Sequence, residues 1–301
     1  MGITEAGFNA QQFNAFINVK SAEKTLQLGP SKCKSMLIGK QVEDIHLSDI
    51  EVDSWRVEHQ INTQTGVDEL IEHYDGKVSI QQITEHLYLG FVVSCKGENM
   101  ANISHLKKES IGVIRKIICK LNSLNLQKYY FECAMIFLNV MLRGSILYAC
   151  EVYYDLKENE LRQIERIEEG HLRQILKTTK GCPITQLYLE VGQVPARFAI
   201  QKMRLLFLKY ILQQSDESSL KKFFNLQLEQ KTRGDWASTC LNDLKALRIA
   251  ETLEEIKNMS KQKFKNILKE RIKENALKYL IEKQGKKGKD IEYTQIEMYN
   301  I

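Results

Sequence analysis

The chain contains very little proline. Its three prolines, Pro30, Pro183 and Pro195, leave long intervals without a helix breaker. Proline interrupts helices because it lacks an amide hydrogen and clashes with the preceding turn. The scarcity of proline therefore favours long helices. At 301 residues, the chain is long enough for two or three domains, or one large one, with an ample core.

No stretch of the chain suits secretion or a membrane span. The most apolar segment, Phe131 to Cys150, contains Glu132, Asn139 and Arg143. Burying these polar groups in the hydrocarbon core of a bilayer would cost considerable free energy. Met1 is followed by a largely polar stretch instead of the apolar core of a signal peptide. We therefore expect an intracellular protein, cytoplasmic or nuclear, in which this apolar segment is a core helix.

Paired metal-ligand motifs are also absent. The seven cysteines are scattered, and no pair has the CxxC spacing of zinc sites and redox motifs. Because Cys119, Cys133 and Cys150 lie within apolar runs, we expect buried free thiols in a reducing compartment. The histidines do not stand at metal-ligand spacing from Cys, Asp or Glu, and His105 and His171 are predicted to lie on helix surfaces.

The common catalytic motifs are missing, while charge is unevenly distributed. The sequence has no P-loop, nucleophile elbow, HExxH or GxGxxG. Residues 1–100 hold 8 Lys and Arg against 14 Asp and Glu, whereas residues 101–301 hold 35 against 24. A basic second part suits a polyanionic partner, but solvated lysine-rich helix faces give the same balance. Composition leaves both interpretations open.

After residue 100 the apolar pattern is helical nearly throughout. One stripe is formed by Ile103, Leu106, Ile114, Ile117, Ile118 and Leu121. Five basic residues fall largely outside this stripe: Lys107, Lys108, Arg115, Lys116 and Lys120. Further helices are predicted at 127–154, 158–177, 196–214, 217–229, 235–247, 251–258 and 259–282, with a short element at 184–191.

Strand-like patterns occur only before residue 100. Short strands are predicted at 34–38 and at 86–94, the second followed by a turn at Lys96–Gly97. Residues 41–80 resemble an inserted loop with a hairpin, with turn signals at Gly66 and Asp75–Gly76. The predicted fold class is mainly α with a small β part, an α+β region followed by helices.

Several short segments also occur in a characteristic order. They are residues 22–40, 88–94, 148–151, 186–192, 204–212 and 259–265. In this order and spacing, nearly the whole chain resembles the reverse transcriptase of non-LTR (LINE-type) retrotransposons. The resemblance implies three regions: a palm remnant with a primer-grip hairpin at 1–100, thumb-like helices at 101–180, and a helical C-terminal region with a basic tail at 181–301.

The resemblance also assigns roles to individual residues. It places Lys32 near the triphosphate, as a contact to the leaving pyrophosphate, which suits an ammonium group beside developing negative charge. It places Tyr88, Leu89 and Gly90 in the primer grip, where glycine permits close backbone approach. The basic residues between 107 and 120 would lie along template–primer phosphates. The residues alone favour an exposed turn lysine at Lys32, and 88–90 equally suits an ordinary strand followed by a hairpin.

The family's catalytic metal ligands are not in this sequence. The resemblance places the Asp-Asp pair, which binds Mg²⁺ in the parent enzyme, immediately before Gly2. We therefore expect a fragment of an RNA-directed DNA polymerase that needs no cofactor, is inactive alone and retains nucleic-acid affinity. Two alternatives are a helical protein-interaction module co-opted from a retroelement and a polymerase piece completed in trans by the missing half.

The last predicted helix carries a second group of basic residues. Residues 261–290 contain 11 Lys and Arg against 4 Asp and Glu. Five apolar residues are predicted to face inward, leaving most lysines in solvent: Phe264, Ile267, Leu268, Ile272 and Leu280. The aromatic residues of this segment do not interleave with the lysines in a way that suggests base stacking. The expected partners are therefore RNA, RNA–DNA hybrid or DNA, bound without sequence preference and without a membrane.

Overall fold

The fold is mainly α with a small β part, which confirms the predicted fold class. The computed structural model describes residues 50–61, 68–80, 83–95, 98–124, 129–232, 234–249 and 252–285. By its contacts the chain divides into two compact units, residues 1–98 and 99–301. Within the described residues, every strand belongs to the first unit and every helix to the second. Five predicted features lie outside the described residues: Lys32, the strand at 34–38, Gly66, the turn at Lys96–Gly97 and the basic tail after residue 285.

The segment predicted to be an inserted loop contains a long hairpin. Strands β1 (Ile50–Ile61) and β2 (Asp68–Ile80) pair antiparallel. Their register shifts between Ser54 and Trp55, where β2 contributes one unpaired extra residue, Asp75. The turn predicted at Asp75 is therefore wrong, because the residue forms a bulge inside a strand.

A second, tighter hairpin follows in the same unit. Strands β3 (Glu85–Tyr88) and β4 (Phe91–Ser94) pair antiparallel across a two-residue turn. Leu89 and Gly90 occupy this turn with φ of +48° and +85°. Positive φ at both central residues matches the right-handed twist of a tight hairpin. The prediction of one continuous strand over 86–94 is wrong, because Gly90 lets the chain reverse where the β-forming pattern continues.

The second unit is built from helices and short connections. Their bounds are α1 Met100–Ser123, α2 Tyr130–Phe137, α3 Arg143–Ile146, α4 Glu158–Ile175, α5 Ile184–Glu190, α6 Ala196–Leu212, α7 Ser219–Gln230, α8 Trp236–Leu247, α9 Leu253–Asn258 and α10 Lys261–Gly285. Side-chain caps start the later helices. Asp235 accepts from the Ser238 amide at 2.6 Å, Thr252 caps α9, and Ser260 accepts from the Lys263 amide at 3.2 Å.

The helix predicted at 127–154 is interrupted. Between α2 and α3 the chain makes a π-helical turn at Leu138–Leu142, and a 3-10 turn follows at Cys150–Val152. Ala149 precedes that turn with φ of +53°, which ends the helical path. Apolar periodicity does not reveal this interruption, because Leu138, Leu142 and other residues on the inner face remain buried through the π turn.

The apolar stripe of α1 is buried as predicted except for Ile118, which is partly buried. Two predictions about other side chains are wrong. Cys119 is exposed, because it lies outside the stripe whose members Ile117 and Leu121 are buried. His171 is only 7% exposed, because α4 packs against α1 at this point. Cys150 is buried as predicted, and Cys133 is half-buried.

Buried carboxylates on α4 tie several helices together. Glu168 accepts from Arg143 Nε at 2.7 Å, from the Tyr188 hydroxyl at 2.7 Å and from the Ala196 amide at 3.1 Å. One turn earlier, Glu165 accepts from Arg197. Both carboxylates are almost fully buried, so their charges are compensated by guanidinium groups and hydrogen-bond donors.

A continuous apolar core joins α6 to the C-terminal helices. It includes Leu205, Leu208, Phe224, Cys240, Leu244, Ile256, Phe264, Leu268 and Ile272. The buried Lys209 amine donates to the carbonyl oxygens of Ile256, Lys257 and Met259. A cation at the end of a helix satisfies carbonyls that have no partner within that helix. Lys209 therefore fixes the junction between α9 and α10.

Candidate nucleic-acid interface

The tip of the β3–β4 hairpin presents apolar side chains to solvent. Tyr88 is 62% exposed and Leu89 is 72% exposed. Gly90 supplies the second left-handed position of the turn, which an L side chain would strain. Tyr88 offers an aromatic face and a hydroxyl group, so the tip can pack against a sugar or base, or against a protein partner.

The five basic residues of α1 form an exposed row. Lys107, Lys108, Arg115, Lys116 and Lys120 are all exposed. They lie outside the buried stripe, with Lys107 and Lys120 at its two opposite margins and the other three between them on the solvent side. At 1.5 Å per residue, the row extends about 20 Å along the axis, long enough to contact several successive phosphates. We call these five residues the basic row.

Two buried polar contacts hold α1 in place. Asn102 donates to the Tyr153 hydroxyl. Ser110 Oγ lies 2.9 Å from His171 Nε2 and donates to the Lys107 carbonyl. Burial lowers the pKa of His171 below its ordinary value, so the ring is neutral at pH 7. The basic row is therefore carried by a helix anchored to its neighbours at more than one point.

The C-terminal helix α10 separates its apolar and basic residues as predicted. Phe264, Leu268, Ile272 and Leu280 are buried, and Ile267 is partly buried against the same core. Lysines on the other faces are exposed: Lys261, Lys263, Lys265, Lys269 and Lys278. The helix thus presents cations along its solvent side over several turns.

Aromatic and ionic contacts attach the end of α10 to α4 and α6. The Tyr279 ring packs edge-on against Phe198 with centroids 5.6 Å apart, and the Arg197 guanidinium lies 4.5 Å from its centre. Lys283 Nζ is 3.4 Å from Glu169 Oε1. These contacts fix the C-terminal part of α10, and with it the position of its exposed lysines, against α4 and α6.

Sequence reasoning missed Lys202. This residue lies on α6 among apolar residues and is partly buried, so neither charge runs nor periodicity singles it out. Besides its burial, the charges of Lys265, Lys269 and Arg143 lower the pKa of Lys202. The electrostatic effect of α10 on a lysine distant in the sequence becomes apparent only in the folded chain.

An apolar groove of about 470 Å³ lies elsewhere on the same unit. Its walls include Val152, Tyr154, Phe207, Ile211, Leu220, Phe223 and Trp236. Phe223 is 60% exposed, and the Trp236 indole is held by donation to the Glu151 carbonyl at 2.8 Å. The groove can accept an apolar side chain or a helix face from a partner.

Lys32, the remaining site residue suggested by sequence, lies outside the described residues. In the described part of the chain, no three His, Cys, Asp or Glu side chains are grouped as metal ligands. No described helix is both long and apolar enough to cross a bilayer. No family model, curated protein or solved structure matches the chain.

Proposed function

We propose that this chain is part of a LINE-type RNA-directed DNA polymerase whose helical unit binds nucleic acid through backbone phosphates. The observation that carries the proposal is the exposed basic row on an anchored helix. In the chain order of the resemblance, that row belongs to the thumb, and the Tyr88–Gly90 tip to the primer grip. The expected ligands are RNA, RNA–DNA hybrid and DNA.

Phosphate contacts determine how such binding responds to salt. Each neutralised phosphate releases bound counterions, so affinity falls linearly on a double-logarithmic plot against salt concentration. Five row residues that all contact phosphates would give a slope of roughly −4 to −5 on duplex. Lysine and arginine contacts to phosphate carry no direct sequence information, so different sequences should bind alike.

Fluorescence anisotropy with a labelled RNA–DNA hybrid tests the proposal. We expect an affinity of about a micromolar at low salt, in the range typical of non-specific contacts. Two hybrids of unrelated sequence and equal length should give the same affinity at each salt concentration. Absence of binding at low salt, or strong preference for one sequence, would contradict the proposal.

The apolar groove favours a second candidate function, a helical protein-interaction module. Exposed Phe223 and the partly exposed Tyr154 at the groove are the side chains that a partner helix could cover. This function predicts that the chain does not bind nucleic acid and associates with another protein. It also predicts that Phe223→Glu abolishes that association. The matched control is Tyr148→Glu, at another exposed aromatic position.

A polymerase half supplied in trans is the third candidate. The partner would carry the Asp-Asp box and the earlier palm strands, and the present chain would contribute the primer grip and thumb. Mixing the two halves should then restore primer extension with Mg²⁺, whereas neither half alone should extend a primer.

A further inference from the structure

A second cavity of the helical unit shares no lining residue with the apolar groove. Its volume is about 370 Å³, and it lies between α6, α8, α10 and the start of α4. Its lining combines polar and apolar side chains, among them Arg204, Asn242, Asp243, Leu161 and Ile200. We call it the polar cavity. A volume of this size, with a few fixed polar groups among apolar ones, is typical of sites for small ligands.

A fixed ion pair forms part of the lining of the polar cavity. Arg204 Nη1 donates to Asp243 Oδ2 at 2.6 Å, and Arg204 Nε donates to the Tyr153 carbonyl at 2.9 Å. Gln201 Nε2 donates to Asp243 Oδ1 at 2.9 Å. Arg204 is only 4% exposed, so its side chain has little freedom to move. The guanidinium and the carboxylate are therefore in place before any ligand binds.

Neither member of this pair uses its full capacity for hydrogen bonds. A guanidinium has five N–H groups, and a carboxylate accepts about four hydrogen bonds. Within the described residues, Arg204 donates two hydrogen bonds, neither of them from Nη2, and Asp243 accepts two. An unpaired donor in a buried position costs free energy. An acceptor that enters the cavity and reaches Nη2 would therefore bind favourably there.

The charges in the lining of the polar cavity are balanced. It contains two guanidinium groups, of Arg197 and Arg204, and two carboxylates, of Asp155 and Asp243. The Arg197 guanidinium is also paired with Glu158, at 2.8 Å, and with a buried carboxylate on α4. A phosphate or a free carboxylate thus gains little net attraction. An uncharged ligand can instead use the donor of Arg204 and the acceptor of Asp243 together.

We propose that the polar cavity binds the lactam edge of an unpaired uracil or guanine base. In this edge a carbonyl oxygen lies directly beside a ring N–H group. The carbonyl oxygen would accept from Arg204 Nη2, and the N–H group would donate to Asp243. Adenine and cytosine lack this edge, because an amino group takes the place of the carbonyl oxygen. Apolar side chains such as Leu161 and Ile200 would contact the flat ring.

The choice of a nucleobase over other lactams rests on the proposed function, whereas the donor and acceptor pair does not. In an RNA–DNA hybrid the lactam edge is occupied by base pairing. Binding of the hybrid should therefore remain independent of sequence, as expected for phosphate contacts. The polar cavity adds a preference that only single strands reveal, since their unstacked bases present free edges.

The test measures anisotropy of the full chain with two labelled single-stranded RNAs of equal length, oligo(U) and oligo(C). Their charges are equal, so phosphate contacts contribute equally to both. We expect oligo(U) to bind about tenfold more tightly, in the range for one well-placed pair of hydrogen bonds to a base edge. Free uridine monophosphate serves as a competitor and should displace oligo(U) only in large excess.

Two variants change the polar cavity in different ways. Arg204→Lys keeps the charge beside Asp243 but places no second nitrogen at the position of Nη2. Asn242→Trp introduces a large side chain at an exposed lining position on α8. The control, Asn266→Trp, makes the same change at an exposed position of α10 outside the lining. Circular dichroism verifies that all three variants are folded.

Both cavity variants should reduce the preference for oligo(U) to less than about twofold, while the control keeps the wild-type preference. Equal affinity of the wild type for the two RNAs would overturn the inference, as would a preference that persists in both cavity variants. Displacement of oligo(U) by an equal concentration of uridine monophosphate would assign the cavity to a free nucleotide and overturn its assignment to single strands. A wild type that prefers oligo(U) but fails to bind the hybrid would overturn the proposed function and support the cavity.

Discussion

His171 Nε2 lies 2.9 Å from Ser110 Oγ, and this contact joins α4 to the helix that carries the basic row. The other ring nitrogen, Nδ1, is buried and has no hydrogen-bond partner within the described structure. The pair fixes α1 through a neutral imidazole. Because burial disfavours the charged imidazolium, the anchorage of the row depends on pH.

The first prediction is that chain stability falls as pH is lowered through about 6.5. Because burial lowers the pKa of His171 in the folded state, the unfolded state binds a proton first and is favoured by acid. One proton contributes at most about 1.4 kcal/mol per pH unit. Urea unfolding at pH 7.5 and 5.5 measures the loss, which should be smaller in His171→Gln. Identical pH profiles for the two proteins would contradict this role.

The second prediction concerns the buried pair of Glu168 and Arg143. Glu168→Gln should lower the free energy of unfolding by about 3 kcal/mol, because it leaves a partly buried guanidinium without its counter-charge. Urea denaturation provides the measurement. The control is Glu254→Gln, which removes an exposed carboxylate 3.8 Å from Lys257 and should cost less than about 0.5 kcal/mol. Equal losses in the two variants would refute the predicted difference.

The third prediction addresses the primer-grip assignment of the hairpin tip. Tyr88→Ala should weaken binding of the hybrid by about 1–3 kcal/mol, the range for loss of an aromatic contact to a base. The salt slope should stay unchanged, because no charge is removed. Anisotropy across salt concentrations gives both quantities. The control is Tyr148→Ala, at a tyrosine that is 46% exposed in the helical unit. Equal effects of the two substitutions would show that the hairpin tip is not part of the interface.

Periodicity in the sequence was sufficient to predict the fold class and most helices. The prediction for α1 works because Ile103, Ile114, Ile117 and Leu121 repeat at helical spacing and are buried together. The same pattern fails over 127–154, since a π turn keeps apolar residues on the inner face while changing the backbone path.

Features of the candidate site that depend on contacts between distant residues could not be predicted from the sequence. Exposure of the α1 lysines follows from their position relative to the stripe. The burial of His171 depends on packing between α4 and α1, which are far apart in the sequence. The tight turn at Leu89 was missed because leucine seldom adopts positive φ, so local propensity favoured a continuous strand.

The fourth prediction is that the 301-residue chain alone does not extend a primer. Two-metal phosphoryl transfer needs carboxylates that hold both ions, and this sequence does not carry the Asp-Asp pair expected from the resemblance. The assay supplies an RNA template, a DNA primer and either Mg²⁺ or Mn²⁺. Incorporation above a heat-inactivated control, persisting in Lys32→Ala, would contradict both the prediction and the assignment of Lys32.

The fifth prediction, and the most direct test of the central claim, is the salt dependence of hybrid binding after neutralising the basic row. The row variant replaces Lys107, Lys108, Arg115, Lys116 and Lys120 with Gln. The control replaces five exposed lysines elsewhere in the helical unit, at positions 180, 222, 231, 245 and 257. If α1 grips the backbone, the row variant loses about 4 from the magnitude of the salt slope and binds at least about tenfold more weakly, while the control stays near wild type. Equal slopes in the wild type, row variant and control would contradict a thumb-like grip by α1.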